Sequence, residues 1–291
     1  MNEFKILVDS TSDISPQDQE AYEIDYLHMS YYLKGQIYDA SLSWKEITPD
    51  EYYSMMKEGY RSLTGQASLN EISSKFESLL SKGYDILYIG CSSMLSGTIN
   101  NARIIACDFI DKYPHNQIVI MDSLRSNYSQ AMMAIQASKM KKENKSLGET
   151  VSYLFQERLK YQTYGLLDSL EWIKKAGRVK KTYKVKNILG YKFLVYSDAD
   201  GYNTLFDSCM SKKSGLSQLA DIVKERIEEK HDIYIEHASC LSNAELLKEY
   251  LLERGIKEEI HILDMGPIIG ATTGPDSLTV SFYGKKVTNL E

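Results

Sequence analysis

Tyr84-Asp-Ile-Leu-Tyr-Ile-Gly90, Cys91-Ser-Ser-Met-Leu-Ser-Gly97 and Thr98-Ile-Asn-Asn-Ala-Arg-Ile-Ile-Ala106 follow one another without a break. The first piece is an apolar run of strand length, the second a small-residue turn, the third a segment of helical composition. A strand apolar on both faces belongs inside a parallel sheet covered on each side. Two other stretches repeat the order. Lys5-Ile-Leu-Val-Asp9 stops at Asp9-Ser-Thr-Ser-Asp-Ile-Ser-Pro16, where polar caps and a proline announce a helix. Gln117-Ile-Val-Ile-Met-Asp-Ser123 leads through a loop into residues 128–142, rich in Ala, Met and Gln. Strands alternating with helices predict an α/β protein whose N-terminal domain is a three-layer α/β/α parallel sheet.

The pattern changes after the charged, Gly-containing stretch 139–150, and we place a domain boundary there, giving domains 1–150 and 151–291. Thr163-Tyr-Gly-Leu-Leu167 reads as a strand and 169–175 as a short helix. Residues 192–196 form a strand that turns at Asp200-Gly201 into 202–206, a hairpin signal implying antiparallel pairing. A helix over 216–230, a strand over 232–236, a helix over 243–254, a strand over 259–263 and the alternating run 278–283 complete a C-terminal α/β domain with a mixed sheet.

A chain of 291 residues accommodates two such domains without staples. Its 43% hydrophobic and 25% charged residues argue against long disorder and disulfide scaffolds. A net charge of −6 lacks the basic surplus of a nucleic-acid binder, so no nucleic-acid partner is expected. No apolar run approaches membrane-span length, so no stable membrane insertion is expected. The N-terminus turns polar before a signal peptide could form, which predicts a cytoplasmic protein. Cys91, Cys107, Cys209 and Cys240 stand far apart without a C-x-x-C or a nearby histidine pair. We therefore expect reduced thiols and neither metal nor cofactor. The 22 tyrosines against 7 phenylalanines predict strands and pocket walls with aromatic bodies and hydroxyl tips.

The richest local chemistry lies at Ser92-Ser93-Met-Leu-Ser96-Gly97-Thr98, where hydroxyls stand between a strand end and a helix start. Unpaired N–H groups and the helix dipole attract an anion there, and ligands of open α/β sheets bind at that edge. Ser96 or Thr98 acting only as an N-cap explains the same pattern equally well. Thr64-Gly-Gln-Ala-Ser68, ahead of a predicted helix over 70–80, and Asp9-Ser-Thr-Ser-Asp13 are two further hydroxyl-rich turns flanking the same sheet edge. Each alone reads as a capped turn. No Walker loop, G-x-G-x-x-G after a strand, H-E-x-x-H or G-x-S-x-G is present. Ser96 as a nucleophile lacks a recognisable histidine partner, and only His237 ends a predicted strand. The basic cluster Lys174-Lys-Ala-Gly-Arg178-Val-Lys-Lys181 reads as a solvated helix end and loop, with contact to an anionic headgroup or a partner as its functional alternative.

These motifs, in order, resemble the DegV family: Asp9-Ser-Thr-Ser-Asp13, T-x-Q-x-S from Thr64, Ser-Ser-x-Leu-Ser96-Gly-Thr98, Asp122-Ser123, Leu170-Glu-Trp-Ile-Lys-Lys-Ala-Gly-Arg178 and Gly266-Pro-Ile-Ile-Gly270. The family comprises bacterial fatty-acid-binding proteins, including binding subunits of fatty acid kinase. The resemblance implies two α/β domains and a long-chain fatty acid in a tunnel at or near their interface. It also implies a carboxylate held by Thr64 and Ser96, with Ser93 in support, and no catalysis by the chain itself. A fatty acid kinase catalytic subunit is the partner it raises. Two departures count against that partner: Met210 stands where kinase-associated members carry Arg, and Thr272 where they carry His. Binding of another small anion and a serine-dependent hydrolase remain the alternatives.

Overall fold

The computed structural model describes residues 2–180, 190–228 and 231–289. The elements are β1 (Phe4–Asp9), α1 (Pro16–Ala21), β2 (Ile24–Leu27), β3 (Ser30–Leu33), β4 (Gln36–Asp39), α2 (Pro49–Lys57), β5 (Leu63–Gly65), α3 (Leu69–Leu80), β6 (Asp85–Gly90), α4 (Thr98–Ile110), β7 (Ile118–Asp122), α5 (Tyr128–Lys142) and α6 (Leu147–Glu157). They continue with β8 (Tyr161–Leu167), α7 (Glu171–Ala176), β9 (Val179–Lys180), β10 (Lys192–Ser197), β11 (Asn203–Cys209), α8 (Lys212–Arg226), β12 (Ile233–His237), α9 (Leu241–Glu253), β13 (Ile260–Asp264), α10 (Pro267–Thr273) and β14 (Leu278–Tyr283).

The first sheet runs β2-β1-β6-β7, all parallel, as the repeated strand-turn-helix grammar requires. Its central strands are buried on both faces, and their side chains divide with period two. Ile6, Val8, Leu87 and Ile89 pack with α5, whereas Leu7, Ile86 and Tyr88 pack with Phe76 of α3 and Ile99 of α4. The second sheet is mixed, in the order β13-β12-β14-β8-β10-β11-β9. The predicted hairpin is its β10-β11 pair, antiparallel around Asp200-Gly201, and Gly201 takes the positive φ of 90° that the turn demands. Helices α8 and α9 cover one face through Leu216, Leu219, Leu247 and Leu251.

Helix α5 lies between the two sheets. It contacts β1 and β6 of the first and β8 and β14 of the second, and its Tyr128 stacks on Tyr234 of β12 at 3.9 Å. A helix buried all round needs no polar face, which accounts for its Ala, Met and Gln composition. The 139–150 stretch, read as a boundary, contains the end of α5 and the start of α6, the latter closed by a Ser146/Glu149 capping box. Two assignments reach beyond the described residues: Lys181, at the end of the basic cluster, and the last two residues of the helix expected over 216–230. Within the described part α8 begins earlier, at Lys212, and ends at Arg226.

Sequence reading passed over β3, β4 and β5, a small antiparallel sheet ordered β4-β3-β5. Its inner side carries Tyr31, stacked on Tyr38 at 5.1 Å and edge-on to Tyr52 of α2. Tyr52 and Tyr53 donate to the carbonyls of Pro267 and Met265 at 2.8 and 2.6 Å, fastening α2 to α10. Here the expected hydroxyl tips of buried tyrosines join elements distant in sequence.

Candidate functional site

At the C-terminal edge of the first sheet, Asp9 organises the turn that follows β1 and the turn that follows β6. Its carboxyl accepts from the N–H of Thr11 at 3.0 Å, from the Tyr88 hydroxyl at 2.6 Å, from the Cys91 N–H at 2.9 Å and from the Thr11 hydroxyl. The 91–97 turn is fixed further by Ser92, whose N–H donates to Arg125 and whose hydroxyl donates to the Gly201 carbonyl of the second sheet's hairpin. Gly97 is the N-cap of α4 and makes no side-chain cap. Instead the Ser96 hydroxyl accepts from the Thr98 N–H at 3.3 Å and bonds the Thr98 hydroxyl at 3.1 Å. The helix start is thus partly capped by Ser96, and the Ser96 side chain also reaches an opening.

That opening is a cavity with about 50 Å³ of space for water-sized solutes, at the bottom of a depression that is open to solvent. Thr11, Cys91, Leu95 and Ser96 line it from the side of the first sheet. Gly165 of β8, Val195 of β10, Thr279 of β14 and Ile269 and Thr272 of α10 line it from the other. Gly165 lets the neighbouring strands' side chains pack closely, because a Cβ there would stand 3.1 Å from Thr279 Cγ2 and 3.2 Å from both Val195 Cγ1 and the Leu278 carbonyl oxygen. Cys91 is a neutral thiol: burial, then the Asp9 carboxyl, push its pKa well above the ordinary range.

The cation in the wall is Arg178. Its Nε donates to the Leu95 carbonyl at 3.1 Å, Nη1 to the Thr272 hydroxyl at 3.0 Å and Nη2 to the Thr64 hydroxyl at 2.9 Å. Among the described residues no acid lies in ion-pair range of it. Burial lowers its pKa from the ordinary guanidinium value, yet a guanidinium stays protonated at any physiological pH. Three of its five N–H donors serve the protein, which leaves two. Thr64 and Thr272 accept from it through their oxygens, so each keeps a hydroxyl proton to donate onward.

Two of the three hydroxyl-rich turns therefore place a side chain on one cavity wall, Thr11 and Ser96, and the third reaches it as Thr64 through Arg178. Thr64 lies in strand β5, paired with Tyr31, and Ser68 is the residue that caps α3. Ser93 does not line the cavity; its N–H donates to Asp122 at 3.3 Å. His237 ends β12 near Asp264 and also lies outside the lining, as does Met210, which is 78% exposed. Thr272 is buried and holds Arg178.

Arg178 was hidden in a basic cluster read as solvated. Its neighbours Lys174 and Lys175 are indeed exposed. The signal that separates them is Gly177, which ends α7 in the left-handed region at φ 68° and reverses the chain. The residue after such a reversal no longer follows the outer face of the helix.

Comparison with known proteins agrees with this architecture. The family model described as "Uncharacterised protein, DegV family" matches residues 3–285. A DegV domain-containing protein of Clostridium perfringens is 30% identical over 287 residues, covering 98% of each chain. A fatty acid binding DegV family protein of Streptococcus agalactiae superposes with TM-score 0.86 at 22% identity, over 98% of this chain and 100% of that one. A stearic acid-binding protein of Eubacterium ventriosum gives TM-score 0.83 at 21% identity, over 96% and 98% of the two chains. Likeness at these identities establishes the fold.

Proposed function

The chain belongs to the DegV family, and from that premise we propose that it binds a long-chain fatty acid, burying the acyl chain in the cavity and holding the carboxylate at Arg178, Thr64, Thr272 and Ser96. The observation that carries this reading is the guanidinium at the wall of a cavity that, among the described residues, has no acidic partner and two N–H groups without an acceptor. A buried cation is stabilised by an anion, and the two remaining donors of a guanidinium fit a carboxylate. Among the described residues the lining carries one positive charge, Arg178, and no lysine or second arginine, which suits a monoanion better than a phosphate dianion. In this reading Thr64 and Thr272 each accept from Arg178 and donate to the ligand, and Ser96 adds a further hydroxyl. Ser93 supports the turn through its backbone and receives no ligand contact. We also propose that units 1–150 and 151–291 meet across the cavity, the acyl chain running between them.

Binding, and not turnover, is the chemistry proposed. Among the described residues no histidine lines the cavity beside Ser96, so an acyl transfer has no base there. Delivery of the acid to a fatty acid kinase is outside the proposal, since Met210 stands where kinase-associated members carry Arg. Of the two proteins of known structure named above, the DegV family protein is described as fatty acid binding and the other as stearic acid-binding.

Native mass spectrometry of the purified protein and titration with saturated acids of increasing length test the reading. Each added methylene is expected to tighten binding about fourfold until the cavity is full, at about 0.8 kcal/mol per methylene. The acid is expected to bind far more tightly than its methyl ester. Affinity independent of chain length would favour a headgroup-only anion binder, and ester turnover abolished by Ser96→Ala would favour the hydrolase.

A further inference from the structure

A pair of buried acids ties together three segments of the cavity wall and takes no part in the ligand clamp. Asp13 follows the turn after β1 with its backbone in the left-handed region, φ 48°. Its Oδ2 accepts from the N–H of Gly266, the N-cap of α10, at 2.9 Å. Glu236 sits in β12, and its Oε2 accepts from the Tyr128 N–H at 3.3 Å and the Thr279 hydroxyl at 3.0 Å. Both side chains are buried and face one another, the Asn127 side chain also approaches Glu236, and among the described residues Asp13 Oδ1 and Glu236 Oε1 receive no donor in hydrogen-bond geometry. Two facing carboxylates have no proton to offer one another; a carboxylic acid facing a carboxylate does.

We propose that Asp13 and Glu236 share one proton, and that the resulting carboxyl–carboxylate bond is a pH-operated clamp on the cavity walls. Through Gly266 the pair fixes α10, which carries Ile268, Ile269 and Thr272 into the lining, Thr272 being a holder of Arg178. Through Tyr128 it fixes the start of α5, beside the wall residues Ser126 and Asn127, and through Thr279 it fixes β14, where Asn127 also donates at 3.3 Å. Asn127 is held at φ 60° and ψ −166°, a conformation that other residues seldom adopt and that only firm anchoring maintains.

The groups facing the pair are the Asp9 carboxyl from the end of β1 and Tyr52 and Tyr53 from α2. His237, next along β12, lies by strand alternation on the other face, near Asp264. Among the described residues no lysine, arginine or histidine forms an ion pair with either acid. Burial raises Glu236 to about 7, and burial followed by the charge of Glu236 holds Asp13 well above the carboxylate range. Acids raised in the folded state contribute stability that is complete below the ordinary carboxylate range. That stability is lost as the pH rises through about 7 and beyond. Above that window the bond becomes a repulsion and the wall segments part.

Loss of ligand in that window rests on the fatty-acid reading above; the shared proton does not. The experiment follows the carbon-13 carboxyl signals of ligand-free wild type across pH, assigned with Asp13→Asn and Glu236→Gln, alongside thermal unfolding and stearic acid affinity. One proton is expected to remain on the pair at neutral pH. Unfolding temperature should fall as the pH rises from the ordinary carboxylate range to about 7 and beyond, and stearic acid affinity should weaken over the same window. Asp13→Asn tolerates the left-handed backbone and donates an amide proton to Glu236, so its pH profiles should flatten. If that variant fails to fold, the wild-type carboxyl signals and Glu236→Gln decide. Both acids fully ionised at neutral pH would overturn the proposal, as would a wild-type pH profile retained in Asp13→Asn. No stearic acid binding at any pH, with the shared proton present, would overturn the fatty-acid reading and leave the pair.

Discussion

Arg125 is buried and Arg178 partly so, and among the described residues neither forms an ion pair with an acid, yet they end in different kinds of acceptor. Arg125 is wholly buried and donates to three carbonyls, those of Leu124, Tyr161 and Asp198, at 2.6–2.8 Å. A carbonyl only accepts, so each of those bonds terminates inside the protein. Arg178 donates to one carbonyl and to two hydroxyls, and a hydroxyl that accepts still has a proton to pass on. Arg125 stays out of the cavity lining and Arg178 forms part of it. The first arginine joins the two sheets at the 123–127 loop; the second stands in the cavity wall with, among the described residues, two N–H groups that have no protein acceptor.

The largest effect should come from breaking the first arrangement. Arg125→Met removes the donor of three buried carbonyls, each costing about 1–3 kcal/mol when left unpaired. We expect a loss of at least about 3 kcal/mol in urea unfolding, with any protein that folds retaining its preference for acid over ester. A stability change below about 1 kcal/mol would mean that Arg125 is dispensable and the contrast wrong. Burial pushes the Arg125 pKa down to about 10, below its unfolded value, so keeping the guanidinium charged in this site costs stability that its carbonyl bonds offset.

Arg178→Met should reverse the pattern. Its removal frees two hydroxyls beside an opening where water replaces the guanidinium, so stability should change by less than about 1 kcal/mol. Fatty acid affinity should fall about 30- to 150-fold, corresponding to about 2–3 kcal/mol for a charge-assisted pair, with methyl ester binding unchanged. Equal losses for acid and ester, measured by calorimetry, would show that Arg178 shapes the cavity and does not grip a charge.

A smaller step separates the hydroxyls. Thr64→Val keeps the shape and removes the relay, and a loss of about 1 kcal/mol for the acid is expected, as for Ser96→Ala. Thr64→Val combined with Arg178→Met should cost less than the sum, because the two side chains act through one hydrogen bond. Strict additivity in this double-mutant cycle would break the link between the hydroxyl and the guanidinium.

The part of the fold built from long apolar strands was legible because burial on both faces leaves a continuous signal, as in β1, β6 and β7. Strands β3, β4 and β5 were not, since three- and four-residue segments such as Leu63–Gly65 carry too few positions to show a period. At the candidate site, the turns of Thr64 and Ser96 stood out only as hydroxyl-rich, the family resemblance pointed to those two residues, and Arg178 was not named. Its role comes from the chain reversal at Gly177 and from Leu95, Thr272 and Thr64, residues 83, 94 and 114 positions away. Local sequence carries no record of partners at such separations. Asp13 and Glu236 were hidden for the same reason: one lay in a polar turn and the other at the end of a strand, with nothing to announce that they meet.

The smallest effect is expected at position 210, where a third arginine would stand in kinase-associated members. Met210 lies between β11 and α8, 78% exposed and outside the cavity lining. A guanidinium placed there by Met210→Arg would be hydrated and screened within a Debye length of about 8–10 Å, so its field at the headgroup site should be negligible. Stability and fatty acid affinity should both stay within about 0.5 kcal/mol of wild type. A gain in affinity beyond that, persisting at high salt, would show that position 210 communicates with the cavity and that exposure alone does not separate a surface arginine from the one that binds.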